Sequence, residues 1–178
     1  MWLRGANGSG KTSLLRLAVG LIQADAGSIT WRGQPLQSAD GFAKELVYIG
    51  HTQSLKDDLT VAESLEFLAT LHARPSDPPA IAAALQQLSV YARRHQTVRS
   101  LSQGQRKRVA LARLALESQP GIWVLDEPYD ALDAEGMAVV EALVLKNIAC
   151  GGCVMLTSHL ARPFGAIPVH TLDLGRAA

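Results

Sequence analysis

The run Gly5-Ala6-Asn7-Gly8-Ser9-Gly10-Lys11-Thr12 constrains this chain more than any other feature. Glycines at 5, 8 and 10 let the backbone turn its N–H groups inward. An apolar helical pattern follows at once, so the loop feeds a helix N-terminus whose partial positive charge favours anions. Lys11 adds a point charge for the β- and γ-phosphates, and Thr12 offers a hydroxyl to Mg²⁺, completing the GxxxxGK[ST] pattern of a phosphate-binding loop. Two later strings narrow the class: Leu101-Ser102-Gln103-Gly104-Gln105, and Val124-Leu125-Asp126-Glu127-Pro128.

The chain has 178 residues, 48% of them hydrophobic, which suits one domain with a well-buried core. Its net charge of +1, from 17 basic and 16 acidic residues, provides no global field to recruit nucleic acid or a membrane surface. The apolar stretch from Leu14 to Ile22 is interrupted by Arg16 and is too short to span a bilayer. No leader pattern precedes it, so the chain is expected to stay in the cytosol. Cys150-Gly151-Gly152-Cys153 has the spacing of a redox pair, but a helical stretch precedes it and a strand follows. The two glycines therefore read as the end of a helix and a turn.

Periodicity predicts a helix from Thr12 to about Leu21, strands at Ser28–Arg32 and Leu46–Ile49, and a turn at Gly33-Gln34-Pro35 between them. Thr60-Val61-Ala62-Glu63 is a capping box opening a helix that stops before Arg74-Pro75. Asp77 and Pro78 start another, about Ala80 to Arg93. Ser102 caps a third, running to about Glu117, with Val109, Ala112 and Leu116 inward and Arg106, Lys107 and Arg113 largely outward. Ile122–Leu125, Val154–Thr157 and Val169–Leu174 complete the strands. The alternation gives an α/β fold with a helical insertion over about 55–99, the core being 1–54 and 100–178. Ligands in such sheets gather at strand carboxyl ends. Four such ends should converge: the phosphate loop after Leu3, Gln53 after Ile49, Asp126-Glu127 after Leu125, and His159 after Thr157.

With these motifs in this order, the chain resembles the ATP-binding subunits of ABC transporters. The resemblance implies a P-loop ATPase core with a helical subdomain, ATP and Mg²⁺ as ligands, transmembrane ABC subunits as partners and a homodimer sandwiching two nucleotides. In its terms Gly5 to Thr12 is the Walker A loop, Gln53 the Q-loop glutamine, Leu101 to Gln105 the signature, and Ile122 to Asp126 the Walker B strand. Glu127 is the base, Ala131-Leu132-Asp133 the D-loop and His159 the switch histidine. Thr12, Gln53 and Asp126 would serve the metal. Ser102, Gly104, Gln105 and Asp133 would face the nucleotide of a second subunit. The signature reads LSQGQ where LSGGQ is usual.

Val47-Tyr48-Ile49-Gly50-His51, Leu55-Lys56-Asp57-Asp58-Leu59-Thr60 and Glu63-Ser64-Leu65 are similar to the branch that serves haem delivery in cytochrome c maturation. That branch implies a peripheral position on the cytoplasmic face of the inner membrane. Only Trp2-Leu3-Arg4, the expected end of a buried strand, precede the phosphate loop, where other members carry further strands and an adenine-stacking aromatic residue. The chain thus reads as N-terminally truncated, with unpaired strand edges that predict poor solubility. Two alternatives are a soluble ABC-type ATPase acting on nucleic acid or the ribosome, and a non-hydrolytic remnant.

Overall fold

The computed structural model describes residues 1–159 and 167–175. Its strands are β1 (Trp2–Arg4), β2 (Thr30–Trp31), β3 (Gln34–Pro35), β4 (Leu46–Ile49), β5 (Ile122–Leu125), β6 (Cys153–Thr157) and β7 (Thr171–Asp173). The helices are α1 (Lys11–Ala18), α2 (Phe42–Glu45), α3 (Val61–Leu71), α4 (Pro78–Gln87), α5 (Gln103–Leu111) and α6 (Ala134–Ala149).

A five-stranded parallel sheet runs in the order β4-β5-β6-β1-β7. Side chains on β5 alternate between its faces, as the period of two requires. Trp123 and Leu125 join a large core with α3, α4, α5 and α6, whereas Val124 packs with Leu3, Leu15 and Val19 under α1. Covered on both faces, β5 can be apolar throughout, which explains a short run without polar alternation. Leu3 is fully buried between β6 and β7, so the three residues before the phosphate loop do form an interior strand.

The expected caps form. Thr60 and Glu63 make their reciprocal capping box, and Asp77 accepts a 3.0 Å bond from the Ala80 amide. Some expectations need correction. Gln34–Pro35 is a strand rather than a turn: the turn is Arg32-Gly33, both at positive φ, closing a two-residue hairpin whose twist suits that conformation. The helix expected to reach Arg93 ends at Gln87, because Ser89 adopts φ +57 and the Val90 amide returns to the Leu85 carbonyl. The helix expected to reach Glu117 tightens into a 3-10 segment after Leu111. Lys107 does not point outward. It is 3% exposed, and Arg108 beside it is also buried. Cys150 to Gly152 end α6 and turn the chain into β6, with Gly151 at φ +94 and both Cys150 and Cys153 free and exposed.

Candidate functional site

Three neighbouring strands end level with one another, Ile49 opposite Leu125 and Leu125 opposite Leu156. The segments leaving those ends, with the loop after β1, enclose a cleft of about 520 Å³. One wall is the phosphate loop, represented by Asn7, Gly8, Gly10, Lys11 and Thr12. The opposite wall carries Asp126, Glu127 and Asp130, and two histidines, His51 and His159, also line it.

The loop is shaped by positive φ at Gly8 and Gly10, a conformation that disfavours a Cβ. Lys11 donates to the Gly5 and Ala6 carbonyls, at 2.9 and 3.1 Å, folding the loop around its own ammonium. A Cβ on Gly5 would collide with the Ser9 hydroxyl. That hydroxyl is buried and has no hydrogen-bond partner among the described residues, as expected where an anion's oxygens complete the cradle.

A chain of hydrogen bonds crosses the base of the cleft. Thr12 Oγ1 donates to Asp126 Oδ2 at 2.8 Å, and Thr157 Oγ1 donates to Asp126 Oδ1 at 2.8 Å. Thr157 Oγ1 in turn accepts from the Glu127 amide at 2.8 Å. Asp126, 2% exposed, is therefore held through both oxygens. Glu127 follows with φ +47, a conformation uncommon for a residue with a side chain and typical of strained functional turns. Burial raises its carboxyl above the ordinary carboxylate range, opposed by His159 and more weakly by Lys11, while Asp130 adds to the rise. His159 Nε2 lies 3.4 Å from Glu127 Oε1, within ion-pair range but outside hydrogen-bond geometry. Behind this wall sits the buried Lys107, its ammonium disfavoured by burial and favoured by Asp130, Asp126 and Glu127.

Thr12 and Asp126 present hard oxygen donors that fit Mg²⁺. No group of three or more His, Cys, Asp or Glu among the described residues could cage a metal. Mg²⁺ suits this arrangement, because it keeps much of its water and commonly takes one or two protein ligands plus substrate phosphates.

Other expected residues lie elsewhere. Gln53 does not line the cleft; it lines a separate small pocket with Arg113 and Leu68, and His51 takes the place at the end of β4. Ser102 and Gln105 are joined in a capping box at the start of α5, and neither lines the cleft. Gly104 packs against the Ala131 carbonyl. Asp133 caps α6 through the Gly136 amide and pairs with Arg108, whose other amine donates to the Leu88 carbonyl at 2.9 Å. The signature helix, the D-loop and the α4 end thus form one block within the chain. Sequence reasoning missed Thr157, His51, Asp130 and the inward Lys107. Only Thr157 left a signal, as a hydroxyl ending an apolar strand.

The sequence model of the ABC transporter family matches residues 1–130. This chain belongs to the ABC transporter family. Among its relatives, the cytochrome c biogenesis ATP-binding export protein CcmA of Albidiferax ferrireducens is 43% identical over 175 residues, covering 98% of this chain and 83% of that protein. The protein of the same name from Pseudomonas putida is 46% identical over 158 residues, covering 88% and 74%. These relatives favour the transporter reading over the soluble alternatives. In fold, a putative ABC transporter ATP-binding protein from Pyrococcus furiosus superimposes with a TM-score of 0.79 at 24% identity, covering 97% and 82%. A dimeric ATP-binding cassette bound to ADP and Pi gives 0.75 at 23% identity, covering 89% and 73%. The ABC ATPase fold accounts for the parallel sheet, the phosphate loop and the strand-end acids together.

Proposed function

We propose that this ABC family member is the ATP-binding, ATP-hydrolysing subunit of an export system serving cytochrome c biogenesis. The observation that carries the ATPase reading is the chain Thr12–Asp126–Thr157–Glu127, which sets a metal-binding pair and a buried carboxyl against a phosphate loop, and the CcmA relatives support the cytochrome c biogenesis setting. The loop amides and Lys11 hold the β- and γ-phosphates of ATP. Glu127 orients and polarises the attacking water, and its raised proton affinity suits it to draw a proton as the new P–O bond forms. His159, beside Glu127, donates to the γ-phosphoryl oxygens. Thr12 and Asp126 would hold Mg²⁺, which when bound neutralises charge on the transferred phosphoryl group.

Among the described residues no helix is long and apolar enough to cross a membrane. We place the chain on the cytoplasmic face through transmembrane partners, with residues about 55–99 as the helical subdomain and the Gln53 loop as its link to the cleft. Ser102, Gly104 and Gln105 open a helix N-terminus, an anion-favouring end. Lying off the cleft of their own chain, they suit the nucleotide of a second copy in a homodimer.

The test is Glu127→Gln. It should retain ATP binding by titration calorimetry while phosphate release falls about a hundredfold or more. Unchanged turnover would refute the assignment of the base, and absence of ATP binding would refute the proposal as a whole. Co-purification of the membrane subunits with the tagged chain tests the partners.

A further inference from the structure

Glu127 leaves β5, the middle of three strands that end in register, so the segments flanking it come from β4 and β6. Each of the three carries a functional side chain just beyond its end: His51 after β4, Glu127 after β5, His159 after β6. His159 accounts for one side of the carboxyl. His51 lines the same cleft from the other and makes no hydrogen bond or ion pair among the described residues. It is exposed to the cleft rather than packed beneath it.

The charges of the cleft limit what His51 can do there. Asp126, Glu127 and Asp130 form one wall, and ionised carboxylates accept hydrogen bonds but cannot donate them. A triphosphate brings further acceptors. Donors for its terminal oxygens must therefore come from the phosphate loop with Lys11, from Ser13 just after it, and from the two imidazoles. Gln53, the residue expected to supply a polar group from β4, lines a different pocket.

We infer that His51 is a second phosphate-contacting histidine, donating an imidazole N–H to the γ-phosphoryl group of ATP from the β4 side, opposite His159. This rests on ATP being the substrate of the cleft. A contact confined to the γ-phosphate distinguishes ATP from ADP. It also orders the transferred group between donors on both sides of Glu127, which is how preorganised donors lower such barriers.

The experiment uses the full chain carrying Glu127→Gln, so that bound ATP persists, and measures ATP and ADP affinity with Mg²⁺ by calorimetry. Adding His51→Ala should weaken ATP binding by about fivefold or more while leaving ADP binding nearly unchanged. His51→Gln, which keeps an N–H donor, should restore most of the ATP preference. With Glu127 intact, His51→Ala should lower kcat for phosphate release about tenfold or more. If both nucleotides bind and the ATP-to-ADP ratio is unmoved by His51→Ala, the role of His51 is overturned and the ATPase reading stands. If neither nucleotide binds before His51 is altered, the ATPase reading falls and this inference falls with it.

Discussion

Gly104, inside the signature sequence, approaches the D-loop so closely that a Cβ built on it would lie 2.6 Å from the Ala131 carbonyl oxygen. The contact joins the start of α5 to the loop that follows Asp126 and Glu127, and the Arg108–Asp133 pair fastens the same two segments a turn further on. Gly104 therefore has a structural task within its own chain, apart from any nucleotide of a second copy.

Gly104→Ala sets two effects against each other. Alanine favours a helix over glycine by about 1 kcal/mol. Forcing a methyl group against backbone that cannot swing aside costs about 1–3 kcal/mol. Because the obstacle is the Ala131 carbonyl rather than a flexible side chain, the clash should win. The melting temperature of the alanine variant is expected to fall, as thermal unfolding would show. A rise would mean that the loop yields freely.

Thr157 positions the two acids without touching substrate. Thr157→Val keeps the shape but removes the oxygen that accepts from the Glu127 amide and donates to Asp126. Leaving that buried amide unpaired should cost about 1–3 kcal/mol, a drop of several degrees in Tm. The kcat for ATP should fall about tenfold or more with KM little changed, because the error lies in the placement of Asp126 and Glu127. Thr157→Ser, retaining the hydroxyl, should recover most of the rate. Failure of serine to rescue would assign the loss to packing alone.

His72 caps the C-terminal end of α3 on the exposed surface, and its imidazole pKa is lowered by local desolvation and by the nearby Arg113 and Arg74. Its folded pKa lies below the unfolded one, so the folded state prefers the neutral ring. The resulting stability is fully present above the unfolded pKa, about 6.5, and is lost as pH falls from there through the folded value. Urea denaturation midpoints should thus decline as pH falls below about 6.5, and His72→Gln should flatten part of that decline. Identical slopes for the two proteins would remove His72 from the account.

The phosphate loop, the strand-end acids, the capping box at Thr60, the cap at Ser102 and the alternation of helix and strand are all local patterns. They arise from backbone freedom, short-range capping and side-chain period, which a single chain displays without reference to its folded form. What lines the cleft depended instead on which strands became neighbours. The order β4-β5-β6-β1-β7 put Thr157 beside Asp126, turned Lys107 inward behind the acids, and set His51 rather than Gln53 at the cleft. Those partners lie far apart along the chain, and no local periodicity encodes a hydrogen bond between the ends of two different strands. Chemistry type was thus written in contiguous residues, while the supporting shell was decided by sheet order and packing, where burial and unpaired polar atoms select the partner.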